Sequence, residues 1–216
     1  NLQWMLLAKF SCQAISWAST LLVMRILHPD DYGLIAMAGV LGNLMAMVNE
    51  MGIGQAIVQA DNLTEHKIRQ CYGIVILINS FSYILLCLLT PVMVWFFGEE
   101  RLSLIIPIIG IQFLIQIFFV IPNSLLDKQL IFRERAIYEV GASVTGTLLT
   151  LWMAYSGLGV WSIIIGNLWV VAFYTILINY KFPFKHFPSF NFFDIGDIAR
   201  FGFMAVLGRI LWFVYS

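Results

Sequence analysis

Acids, bases, nucleophiles and metal ligands are few in this chain and stand apart from one another. His28, His66 and His186 fall in separate polar stretches, without the close spacing that gathers ligands around a metal. Cys12, Cys71 and Cys87 stand singly within or at the edges of apolar runs, where a thiol acts as a small packing group. No G-x-S-x-G, H-E-x-x-H or P-loop pattern occurs, and Gly52-Ile53-Gly54 is too short a glycine pattern to cradle a phosphate. Asp30-Asp31 and Glu99-Glu100 are expected to form solvated loop doublets. No catalytic residue, metal site or cofactor follows from these residues. The chemistry expected here is non-covalent.

Polar residues inside apolar stretches are more informative, because placing them in hydrocarbon is expensive. Arg209 lies about 11 residues into the last apolar run, roughly 16 Å along a helix and so near a bilayer midplane. Either it faces a water-filled cavity, meeting an anionic substrate or a carboxylate, or it bridges helices. Glu50 closes another run and is either interfacial or a cavity-facing site for a proton or cation. Glu139 is expected at the N-terminal end of a helix, where the dipole favours it. Amides are scattered through the runs: Asn43, Gln112 and Gln116, with Gln13, Asn49, Asn79 and Asn167. Together they suggest an interior wet enough for a polar solute. Arg209, Glu50, Asn43, Gln112 and Gln116 are the cavity candidates.

The elements that must position these residues are long apolar runs. Hydrophobic residues make up 61% of the 216 and charged residues 11%, too little charge to solvate a globular surface. A helix crosses the hydrocarbon in about 20 residues. Runs of that order occur near 6–26, 32–58, 68–97, 102–124, 137–155 and 160–180, and a seventh begins near Ile198. The fold class is therefore all-α and polytopic: six transmembrane helices plus the start of a seventh. Residues 1–186 form the expected first bundle, and residues 187–216 an interfacial helix leading into the seventh span. The chain starts at Asn1 and stops inside an apolar run, as a piece of a longer polypeptide would.

Loop charge orients the bundle. Loops after the even spans hold Lys67, Arg69, Lys128, Arg133, Arg135, Lys181, Lys185 and Arg200; those after the odd spans hold only Arg25 and Arg101. This places the even loops and the N-terminus in the cytoplasm, with Lys67, Arg69, Lys128, Arg133 and Arg135 as a basic rim. Residues 125–136 mix apolar and charged side chains, as a helical elbow at the membrane surface does. Residues 187–201 suit an interfacial helix capped by Ser189 or Asn191, either as a plain linker or as part of a rim attracting anionic lipid. Ala38-x-x-x-Gly42 and Ala142-x-x-x-Gly146 allow close helix approach, and Pro91 and Pro107 are expected to kink their helices.

Several segments, taken in order, resemble one family. They are 25–33 (RILHPDDYG), 50–59 (EMGIGQAIVQ) with Asn62-Leu-Thr-Glu65, 121–136 (IPNSLLDKQLIFRERA), 157–162 (GLGVWS) and Arg200-Phe-Gly202. The chain is similar to the lipopolysaccharide/colanic-acid/teichuronic-acid exporter branch of the multidrug/oligosaccharidyl-lipid/polysaccharide exporter superfamily. The resemblance implies the N-terminal half of a two-bundle exporter of 12 to 14 helices around a central cavity. It further implies flipping of undecaprenyl-diphosphate-linked oligosaccharides across the bacterial cytoplasmic membrane by alternating access. Implied partners are the lipid bilayer, the lipid-linked oligosaccharide, and a glycan polymerase and export machinery, with no nucleic acid. The family pattern often has Asp where Glu50 stands, so the acidic character is kept; no family role fixes Arg209.

Two rivals share parts of this pattern. A multidrug or peptidoglycan-precursor exporter has the same architecture and a different cavity chemistry. A membrane glycan polymerase or ligase usually carries a large outer loop with catalytic groups, whereas these outer loops are only a few residues long. Coupling to a proton or sodium ion through Glu50 predicts that Glu50→Gln removes the ion dependence of transport in liposomes. Transport that keeps its ion dependence would reject that role.

Overall fold

The computed structural model describes residues 2–49, 53–60, 63–183 and 187–190. Its regular elements are all helices: α1 (Leu2–Ile26), α2 (Pro29–Asn49), α3 (Ile53–Gln59), α4 (Glu65–Phe97), α5 (Leu102–Lys128), α6 (Phe132–Tyr155) and α7 (Val160–Lys181). Glu50, Arg209, Lys185, Arg200, the run from Ile198 and residues 191–201 of the expected interfacial helix lie outside the described residues.

Among the described residues, three helices are long and apolar enough to cross a membrane: α4, α5 and α7. The helices α1, α2 and α6 run 25, 21 and 24 residues. Ser143, Thr145, Thr147 and Thr150 dilute the hydropathy of α6. At 33 residues α4 is about 50 Å long and must tilt or protrude from a hydrocarbon layer of about 30 Å.

Local chemistry explains the ends. Thr64 caps α4 by accepting from Lys67 N at 3.4 Å, and Gly98 closes it in the left-handed region at φ 69°. The turn after α6 likewise uses Gly157 at φ 78°, with Leu158 N donating back to Met153 O at 3.2 Å. After α5 the same closure is made without glycine. Leu130 takes φ 58°, and Ile131 N reaches Leu126 O at 3.1 Å. The expected elbow at 125–136 is thus the end of α5, a tight turn and the start of α6.

Two expectations need correction. The run at 32–58 is not one helix: α2 ends at Asn49, and α3 is a separate short helix. Gly52 and Gly54 each weaken a continuous helix by about 1 kcal/mol, and Gly54 seats α3 closely on Ser124 of α5. Glu139 is not a helix-terminal charge, since α6 begins at Phe132 and its first-turn acid is Glu134. Residues 187–190 are not helical, as the lead-in to a helix capped at Asn191 would be; Ser189 N donates to Arg69 O at 3.0 Å, which pins this segment to the start of α4.

Packing runs from neighbour to neighbour. Helix α1 lies along α6, α6 along α7, α7 along α5 and α5 along α4, while α2 reaches α4, α5 and α7. The main core joins Leu34 and Ala38 of α2, Leu86 of α4, Ile106 and Phe113 of α5 and Ile164 of α7. A second cluster holds α3 to α4 and α5 through Ile57, Cys71, Val75 and Ile121. Cys71 is a fully buried packing residue, as its surroundings in the sequence implied.

The polarity of α4 is inverted relative to a soluble helix. Its exposed face is Leu77, Phe81, Ile84, Leu88, Val92 and Trp95, whereas its buried face includes Asn79, Ser82 and Thr90. Asn79 and Thr90 turn back on their own helix, bonding Val75 O and Leu86 O at 2.9 Å each. Exposed aromatics include Trp95, Phe96, Trp152 and Tyr155 near one end of the helices and Tyr180 near the other, besides Trp17, Phe81 and Phe118 along them. Such a surface belongs in lipid.

Helices α6 and α7 meet through small residues. A methyl group added at Gly166 would collide with Thr150 Oγ1, and one at Gly146 with Val170. The Ala142-x-x-x-Gly146 spacing therefore lies at a close crossing, while Gly166, on the opposite helix, was not singled out from sequence. Gly166→Ala is expected to cost about 1–3 kcal/mol through overpacking. Gly141→Ala, with nothing within 4 Å of the added methyl, is its neutral control. Thermal unfolding in detergent reads the difference, and equal midpoints for the two variants would contradict this crossing.

Candidate functional site

Among the described residues, cavities with polar lining lie at two places along the bundle. The first, of about 580 Å³, lies at the end carrying the basic residues, between α3, the end of α5 and the start of α6. Its polar lining includes Gln55, Gln59, Asn123, Asp127, Arg135 and Glu139. Arg135 reaches back across the turn to form an ion pair with Asp127, and its Nε donates to Tyr174 Oη of α7 at 3.3 Å. Burial alone would lower the pKa of Arg135, but Tyr174 and Asp127 together outweigh it and hold the value above the ordinary one. The guanidinium therefore stays charged at the cavity wall. Asn123 Oδ1 is buried without a hydrogen-bond partner among the described residues.

Lys128 has a different use. Its Nζ donates to Ile57 O at 3.2 Å and also to Ala60 O, so the ammonium sits on the carbonyl end of α3. A cation there satisfies carbonyls that a helix end leaves without partners and complements the dipole. Of the expected basic rim, the structure thus brings Arg135 and Lys128 into defined bonds around one cavity. Lys67 is half-buried, and Arg69 and Arg133 are exposed.

The second cavity, of about 570 Å³, is an open cleft lined by α1, α2, α5, α6 and α7. Gln112 lines it; Asn43 is exposed on α2, and Gln116 lies half-buried one turn beyond Gln112 on α5. Tyr32, Ser143, Thr147, Thr150 and Asn167 complete much of its polar wall. The hydroxyls gave little signal in the sequence, because Ser and Thr bond their own helix backbone and cost little in a span. Their i, i+4, i+7 spacing at 143, 147 and 150 was the available clue.

At the other end, Asp31 is half-buried rather than fully solvated. Its carboxylate lies against Gly159, the residue that opens α7, while Asp31 itself belongs to the first turn of α2. One carboxylate thus serves two helix N-termini. Asp30 beside it is exposed, as expected of a rim.

Pro122 stands inside α5, next to Asn123 of the first cavity. A proline has no N–H for the carbonyl four residues back, here that of Phe118. Asn179 Nδ2 of α7 supplies the missing donor at 2.9 Å. In hydrocarbon an unpartnered carbonyl is costly, so this cross-helix bond lets α5 keep its proline.

Residues 22–216 match the family described as polysaccharide biosynthesis protein. The chain belongs to that family. It is 21% identical over 99% of its length to an uncharacterized membrane protein in the cps region of Klebsiella pneumoniae, covering 45% of that relative. It is 20% identical over 76% of its length to the succinoglycan biosynthesis transport protein ExoT of Rhizobium meliloti (strain 1021), covering 33% of it. It is also 31% identical over 45% of its length to the teichuronic acid biosynthesis protein TuaB of Bacillus subtilis (strain 168), covering 20% of it. No solved structure matches at a significant level. The chain therefore spans less than half the length of the curated relatives it matches. It is a membrane protein of a polysaccharide biosynthesis and transport family, and two segments of the earlier resemblance have structural roles. Thr64 is the cap of α4, and Gly157 and Gly159, both at positive φ, form the turn between α6 and α7.

Asn179→Leu is expected to destabilise the protein by about 1–3 kcal/mol, by stranding the Phe118 carbonyl. Adding Pro122→Ala, which restores an N–H to that carbonyl, should recover much of the loss. A double-mutant cycle of thermal midpoints checks this, and strictly additive effects would contradict the pairing.

Proposed function

We propose that the chain is the N-terminal half of a flippase for undecaprenyl-diphosphate-linked oligosaccharide repeat units in the bacterial cytoplasmic membrane. Residues 1–186 make the first six-helix bundle, and 187–216 begin the second. The basic loops and the N-terminus face the cytoplasm. The observation that carries this reading is the inverted polarity of the bundle: apolar side chains outside, and polar cavities at two places inside. Membership of a polysaccharide biosynthesis family supports a glycan cargo, and the likeness to the transport protein ExoT supports transport.

Transport then proceeds by alternating access, with two half-bundles rocking around a midplane site. The diphosphate needs cationic, hydrated surroundings at entry, which the exposed rim residues Arg69 and Arg133 supply, with Arg209 as the proposed cation deeper in the membrane. The lipid tail stays in the bilayer and slides alongside. Arg209 and Glu50 remain the proposed midplane and coupling residues, and the reaction involves no covalent chemistry. Partners are the lipid-linked glycan, the bilayer, and the polymerase and export machinery that receive the flipped unit.

Deleting the gene in its own host, with the glycan-assembly enzymes intact, is the direct test. The expected outcome is accumulated lipid-linked repeat units and loss of surface polymer in lipid extracts and polysaccharide assays. Normal polymer without accumulated precursor, in a host lacking a second flippase, would favour the multidrug exporter instead.

A further inference from the structure

The cavity lined by α1, α2, α5, α6 and α7 has a composition that the cationic-cavity expectation does not account for. None of its lining residues among those described carries a formal charge. Two helices packed on each other, α1 and α6, present facing hydroxyls: Ser16, Ser19 and Thr20 from one, Ser143, Thr147 and Thr150 from the other. Thr20 donates its proton to Ser16 O at 2.8 Å, and Thr150 donates to Gly146 O at 2.9 Å. With their protons committed to the backbone, these oxygens offer acceptor lone pairs. Tyr32 Oη is buried and has no partner among the described residues, and the amides of Gln112 and Asn167 add both donors and acceptors.

Such a wall is poorly suited to a diphosphate. A dianion taken from water into this cleft would lose its hydration without gaining a cation. A sugar ring is suited to it. It brings neutral hydroxyls that donate to the threonine oxygens and accept from Tyr32 and the amides, and its C–H faces meet Val23, Ile35 and Ile163. The volume of about 570 Å³ lies within the usual range for small-molecule sites.

Resting on the flippase reading above, we infer that this cleft is a subsite for the uncharged saccharide of the lipid-linked glycan and that the diphosphate binds outside it. Recognition of cargo is thereby divided, with sugar hydroxyls read here and phosphate charge held by the basic residues elsewhere in the protein.

The test uses the full-length protein in nanodiscs and two probes: lipid-linked repeat units extracted from its own cells, and undecaprenyl diphosphate lacking sugar. The Ser143→Ala/Thr147→Val double variant should weaken binding of the saccharide-bearing lipid about tenfold. Binding of bare undecaprenyl diphosphate should stay within about twofold, and Thr147→Ser should behave as wild type. In wild type, free oligosaccharide released from the lipid by mild acid should compete with the lipid-linked form. Equal losses for both probes, no loss for either, or absent competition by the free oligosaccharide would overturn the subsite while leaving the flippase reading intact. Failure of the wild type to bind either lipid would overturn both.

Discussion

Hydrocarbon offers no hydrogen bonds, and the rest of this structure depends on that constraint. Every polar group within the bundle must be met by the protein itself or by water that the protein admits. Asn79 and Thr90 meet it by bonding their own helix, Asn179 by serving a carbonyl of α5, and Arg135 by pairing with Asp127 and Tyr174. The apolar effect that organises a soluble core contributes little here, because side chains such as Phe81 and Leu88 gain nothing from burial that lipid contact does not already give. Close fit and internal hydrogen bonds hold the helices together instead.

Close fit in turn requires places where backbones approach. Gly146 and Gly166 supply one between α6 and α7, and Gly110 supplies another where Tyr83 and Leu86 of α4 come near α5. Gly73 has the same role toward a different partner, since the Ser189 carbonyl lies where its side chain would be. These contacts place polar walls opposite one another at fixed separations. The two cavities are therefore products of the same packing that makes the bundle stable.

Much of the helical architecture was legible in the sequence, because its signals are local. Apolar runs, a threonine cap at 64 and glycines at 98 and 157 mark helix ends within a few residues. The break between α2 and α3 was less legible: the glycines near it weaken a helix, but the separate seat of α3 on Ser124 depends on residues far along the chain. The site was legible only in part. Gln112 stands out as an amide in an apolar run, and it lines the inner cavity. Thr150 does not stand out, because a hydroxyl that bonds its own backbone carries almost no penalty in a span. The partners of Arg135, Lys128 and Asn179 involve other helices, and no local pattern announces them.

Helix α1 finds its main neighbour in α6 rather than in α2, which follows it directly. This order has a consequence for how the protein is made. When α1 has been synthesised, residues 132–155 have yet to be made. At about 5–20 residues per second, the roughly 100 residues between Ile26 and Phe132 take about 5–20 s to emerge. Throughout that interval the hydroxyls of α1 that later face α6 have no permanent partner. During biogenesis α1 is a waiting helix, dependent on lipid, on the insertion machinery and on its own backbone until α6 arrives to claim it.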